Sequence, residues 1–151
     1  MKEAIQTLIT SDKMAHAFEY LKQDEAHTID QQIELVQISS FSPFEEKRAI
    51  RFKELLTEAG LDPVMDEVHN VYAHIHGTGN GPTLYVSAHL DTVFPPETPL
   101  PVKREGTKIY SPGIGDDTRG LAEILTLART IKESGLKPVG DIIIGGNVGE
   151  E

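Results

Sequence analysis

Three short stretches could do chemistry in a chain that has no cysteine: His89-Leu90-Asp91, Asp116-Asp117 and Glu150-Glu151. Imidazole and carboxylate are the groups that bind a divalent cation without thiolate, and they are also the groups that move protons near neutral pH. In extended chain, side chains at i and i+2 point to the same side. His89 can therefore offer one ring nitrogen to a metal while Asp91 accepts the proton on the other. Taken alone, His-X-Asp is more often a structural histidine with a satisfied partner. Asp116 and Asp117 close a glycine-rich turn, Ser111-Pro112-Gly113-Ile114-Gly115, directly before a helical pattern. Aspartate is a favoured helix N-cap, so one of the two can cap while the other does something else. A carboxylate has two oxygens and can bridge two ions roughly 3.5–4 Å apart. Glu150 and Glu151 are adjacent beyond a strand pattern and can point in different directions. One can then bind a metal while its neighbour contacts the water on that metal; the dipeptide by itself reads as a solvated acidic turn.

The elements that must hold these residues follow from periodicity. Apolar side chains recur at three- and four-residue spacings around residues 14–21 and 29–38, which predicts helices. Ser42 and Glu45 have the spacing of a capping box with Pro43 at the first helical position, so a helix is expected from there to about Ala59, stopped by Gly60. Val71 to His76 alternates like a strand, and Thr83 to Ala88 is a near-continuous apolar run, as expected of a strand covered on both faces. A helix over about 119–132 and a second buried strand over 141–146 complete the pattern. Strands alternating with helices define an α/β fold, a sheet with helices on both faces. In such sheets ligands collect where strands end, and all three stretches lie at such ends.

Composition narrows the function. The chain has 151 residues, enough for one domain, with 38% hydrophobic and 25% charged residues. A formal net charge of -10 with no basic stripe argues against a nucleic-acid partner. No stretch approaches membrane-spanning length and residues 1–10 do not form a signal peptide, so a cytoplasmic location without membrane contact is expected.

Taken together and in order, the three stretches resemble the zinc-dependent family that includes peptidase T, bacterial glutamate carboxypeptidase, aminoacylase and succinyl-diaminopimelate desuccinylase. Ser87-Ala88-His89-Leu90-Asp91-Thr92-Val93 is similar to that family's first signature and Gly149-Glu150-Glu151 to its third. Gly115 to Ile124 is similar to the second, nearest to that of peptidase T, and the segment from Ser39 to Glu45 also resembles the family's N-terminal region. The resemblance implies an N-terminal portion of a zinc-peptidase catalytic domain holding two zinc ions in the complete enzyme. His89 would bind one ion with Asp91 orienting it, Asp116 would bridge both with Asp117 beside it, and Glu151 would bind the second. Glu150 would be the general base that activates the water. Most relatives have lysine close after the bridging aspartate, where this chain has Thr118 and Arg119.

Small peptides are the expected substrates, with an N-acyl amino acid deacylase of the same family as the alternative. A non-catalytic α/β binding module is the reading from a different class; the intact set of five site residues argues against it. Gly113-Ile114-Gly115 lacks the third glycine of a dinucleotide fingerprint and precedes two carboxylates that would repel phosphate. His74-X-His76 could chelate zinc from one strand face, but the alternation makes an outward polar face the simpler expectation. Residues 1–151 supply fewer ligands than two catalytic zinc ions need. The expectation is therefore a fragment, inactive alone, that lacks the lid or dimerisation domain through which the complete protein would form a homodimer.

Overall fold

The alternation of strand and helix patterns is realised in the computed structural model, which describes residues 2–151. Three helices open the chain: α1 (Lys2–Ile9), α2 (Asp12–Gln23) and α3 (Glu25–Val36). Ser11 caps α2 through its side-chain oxygen, which accepts from the Met14 amide. Helix α4 (Glu46–Glu58) follows, then strands β1 (Val64–Met65), β2 (Val71–Ile75) and β3 (Leu84–His89). A small antiparallel hairpin, β4 (Lys103–Glu105) and β5 (Lys108–Tyr110), precedes α5 (Thr118–Ser134) and β6 (Ile142–Asn147).

Strand order is β1-β2-β6-β3, with β6 antiparallel to β2 and parallel to β3. The β3–α5–β6 stretch is thus the parallel crossover that makes this an α/β fold. Its consequence for the site is direct. Parallel pairing brings the C-terminal ends of β3 and β6 side by side, with His89 opposite Asn147.

One hydrophobic core joins α4 and α5 to the sheet through Phe52, Leu55, Leu121, Leu125, Val71, Ala73, Ala88, Leu90 and Ile144. Gly146 sits where the sheet meets this layer. A Cβ there would lie 3.0 Å from Phe52 Cε1 and 3.1 Å from Leu90 Cγ, so glycine lets the strand approach the core closely.

Three expectations need revision. The capping box does not form: α4 starts at Glu46, its N-cap Glu45 makes no side-chain cap bond, and Ser42 and Pro43 lie in the turn before it. The Ser42–Pro43 bond in that turn is cis. Second, the 83–88 run is not covered on both faces. β3 is an edge strand with Leu84 and Tyr85 each 56% exposed. Third, α4 and α5 pack on the same face of the sheet, the one carrying Ala73, Ala88 and Ile144. By strand alternation the reverse face carries Tyr72, His74, Ile143, Tyr85 and Ser87, and the described residues leave it partly or wholly exposed. A run of apolar residues reports burial of a strand without saying which element does the burying.

Candidate metal centre

His89 is the last residue of β3, and its environment is set from three directions. Its Nε2 lies 2.9 Å from Asp116 Oδ1, and its Nδ1 lies 3.1 Å from the Asp91 carbonyl oxygen. Its backbone amide donates to Asp117 Oδ2 at 3.3 Å. Burial disfavours the charged ring, but Asp116, Asp117 and Asp91 outweigh it and hold the His89 pKa above its ordinary value.

The two aspartates divide their work as the sequence allowed. Asp117 is the N-cap of α5 and accepts from the Gly120 amide at 3.0 Å. Burial raises its pKa, against the hydrogen bonds from Gly120 and His89 that favour the carboxylate. Asp116 is left free, and its exposed carboxylate faces the His89 ring. The peptide bond between them is cis.

Asp91 is fully buried. Its Oδ2 accepts from the Glu151 amide at 2.8 Å, while Oδ1 has no hydrogen-bond partner among the described residues and lies 3.7 Å from His89 Nδ1. The expected contact between the Asp91 carboxylate and the ring is therefore supplemented by a shorter one to the Asp91 carbonyl. Through Asp91 the His89 segment is tied to the end of β6. Glu150 and Glu151 are both exposed there.

These ties draw one ligand atom each from His89, Asp116 and Glu151 to within 4.8 Å of one another. One imidazole nitrogen and two carboxylates form a donor set suited to zinc, and the unpartnered buried oxygen of Asp91 stands behind the ring as an outer-shell acceptor would. The residues present thus fit a metal ion. His74 and His76 do not join this group: His74 is on β2 and His76 just beyond it, their tilted rings 5.9 Å apart between centroids, with His76 near Asp141 and largely exposed.

Two contributors to the site had no obvious sequence signal. Asp66 accepts from the Asn70 side chain at 2.9 Å, and from the amides of Asn70 and Val68 at 2.9 and 3.0 Å. Asn70 Oδ1 in turn accepts from the Val148 amide at 3.0 Å, anchoring the approach to Glu150 and Glu151. An aspartate four residues before an asparagine in a polar turn marks such a loop only weakly. These bonds, the Asn70 side chain first, hold the Asp66 pKa below the usual carboxylate range. The sign follows from linkage: a depressed folded pKa stabilises above the unfolded value of about 4, and that stability is lost as pH falls through the folded pKa. Thermal unfolding of Asp66→Ala is expected to show a destabilised protein at pH 7 whose deficit shrinks below about pH 4. A deficit independent of pH would contradict this role.

Comparison with known proteins gives the family. Residues 70–151, more than half of the chain and including His89, Asp116 and Glu151, match the model of Peptidase family M28. The chain belongs to this family of peptidases. It is 38% identical to carboxypeptidase G2 from Pseudomonas sp. (strain RS-16) over 84 residues, covering 54% of this chain and 20% of that protein. The crystal structure of a tripeptidase from Staphylococcus aureus superposes with a TM-score of 0.69 at 32% identity, covering 83% of this chain and 37% of that one. Aminopeptidase PepT from Bacillus cereus superposes with a TM-score of 0.69 at 27% identity, covering 82% and 36%. The chain therefore spans well under half the length of these relatives.

Proposed function

We propose that this chain forms the N-terminal part of the catalytic domain of a co-catalytic two-zinc peptidase that hydrolyses amide bonds of small peptides. The observation that carries the reading is the convergence of His89, Asp116 and Glu151 from three separate segments to within 4.8 Å. Membership of a peptidase family and the likeness to a tripeptidase and an aminopeptidase favour peptides over N-acyl amino acids.

In this reading His89 and Asp116 would hold one ion, and Asp116 and Glu151 would hold the second. Zinc, when bound, supplies Lewis-acid polarisation of the amide carbonyl and lowers the pKa of water. Asp91 keeps the His89 ring in one orientation through its contacts at Nδ1. Glu150, next to the ligand Glu151, takes the proton of the attacking water and delivers it to the departing amine. Asp117 caps α5 itself, which would leave Asp116 available to both ions. Three ligand residues are fewer than two catalytic ions require, so the remaining ligands come from outside these residues.

Metal analysis after equilibrium dialysis, together with a peptide hydrolysis assay of the complete enzyme, tests the reading. A chelator is expected to abolish hydrolysis and added zinc to restore it, while Asp116→Ala loses both metal and activity. Hydrolysis that survives metal removal would overturn the proposal.

A further inference from the structure

Arg48 is among the largest fully buried side chains of the molecule, 1% exposed, and belongs to α4 rather than to any of the three motifs. Burying a guanidinium is costly, and buried cations are ordinarily paired with a carboxylate. Arg48 makes no ion pair within 4.0 Å among the described residues. Instead Nη1 donates to the Leu90 carbonyl at 2.7 Å, and Nε and Nη2 donate to the Ile38 carbonyl at 3.1 and 2.6 Å. Leu90 is the residue between His89 and Asp91. Burial lowers the Arg48 pKa to about 10, with the charge of Asp91 opposing, so the group stays a cation at neutral pH.

The Leu90 carbonyl belongs to the peptide plane that leads into Asp91, so fixing it fixes where Asp91 points. The rest of the segment is anchored elsewhere: the Leu90 amide donates to Asn147 at 2.7 Å and the Thr92 amide to Ser40 at 2.8 Å. Asp91 then reaches the Glu151 amide with one oxygen and approaches the His89 ring with the other. A neutral residue at 48 would leave the Leu90 carbonyl unpaired and the buried Asp91 without a nearby cation. A helix-packing role alone needs no charge and no fork of donors.

We propose that Arg48 is a positioning residue for the metal centre, aiming the His89–Asp91 segment by clamping the Leu90 carbonyl against that of Ile38. The proposal rests on the zinc reading for its consequence, but its geometric core concerns the His89 ring alone. Lysine at 48 keeps the charge yet cannot bridge two carbonyls with a rigid fork.

The test uses Arg48→Lys and Arg48→Met in the complete protein, with Phe52→Leu as a core variant that leaves the clamp intact. The first readout is the ring ¹⁵N spectrum of His89 in metal-free protein, which reports the Nδ1 contact. The second is zinc affinity by equilibrium dialysis. Both Arg48 variants are expected to change the His89 ring signals and to weaken zinc binding by about 10–100-fold, the usual effect of losing an outer-shell partner. Arg48→Lys is expected to lose less than Arg48→Met, and Phe52→Leu to leave both readouts unchanged. Should Arg48→Met fail to fold, Arg48→Lys decides alone. Unchanged ring signals and zinc affinity in folded Arg48→Lys, or an equal loss in Phe52→Leu, would overturn the proposal. If wild-type protein binds no zinc, the zinc reading fails, and the ring spectrum still decides the role of Arg48.

Discussion

Glu150→Gln is expected to lower turnover of the complete enzyme by about 10²–10⁴-fold, the usual worth of a positioned general base. Glutamine keeps the size and hydrogen-bonding reach of glutamate but cannot take a proton at neutral pH. Glu150 is exposed at the end of β6, so the substitution removes no core contact and should leave stability unchanged. Zinc content should also be unchanged, because the clustered ligand atoms belong to His89, Asp116 and Glu151. Steady-state kinetics with parallel metal analysis separates the two effects. A fall in kcat at constant zinc supports the base role. Undiminished turnover would transfer that role to another residue, and loss of zinc would make Glu150 a ligand.

The second large effect is on stability and lies far from the site. Arg129 on α5 donates to Asp24 Oδ2 through Nε at 3.0 Å and Nη2 at 2.6 Å, and its Nη1 donates to Gln31 at 2.6 Å. Both members of the pair are nearly buried, with side chains 10% and 7% exposed. Asp24→Ala strands a guanidinium in this interface, which typically costs about 3–5 kcal/mol. For a chain of this length that is a fall in Tm of roughly 6–20 °C. The double variant Asp24→Ala/Arg129→Met should recover part of the loss, because no unpaired charge remains. Urea unfolding of the three variants measures this. A loss under about 1 kcal/mol in Asp24→Ala would mean that water reaches the arginine and the pair behaves as a surface ion pair.

Much of the site was legible because its signals are local. His89, Asp116, Glu150 and Glu151 lie at or just beyond strand or turn ends, and those ends follow from glycine clusters and from short continuous apolar runs within a few residues. Asp117 as a helix cap follows equally from its place before α5. The capping box failed for the converse reason. Ser42 and Glu45 had the right spacing, but both precede the helix, which begins only at Glu46.

What the sequence by itself determined is α2 to α5, the strands β2, β3 and β6, and the order of the three motifs along them, since helix and strand periods depend only on near neighbours. Tertiary structure alone decided that β3 lies at the edge, that α4 and α5 share one face, and that a small hairpin sits before α5. It also decided the pairing of Asp24 with Arg129, 105 residues apart, and the clamp of Arg48 on Leu90, 42 residues away. A charged residue on a helix reads as a solvated one until a remote carbonyl or carboxylate is brought against it. The free energy of a buried cation is set by partners that only folding assembles.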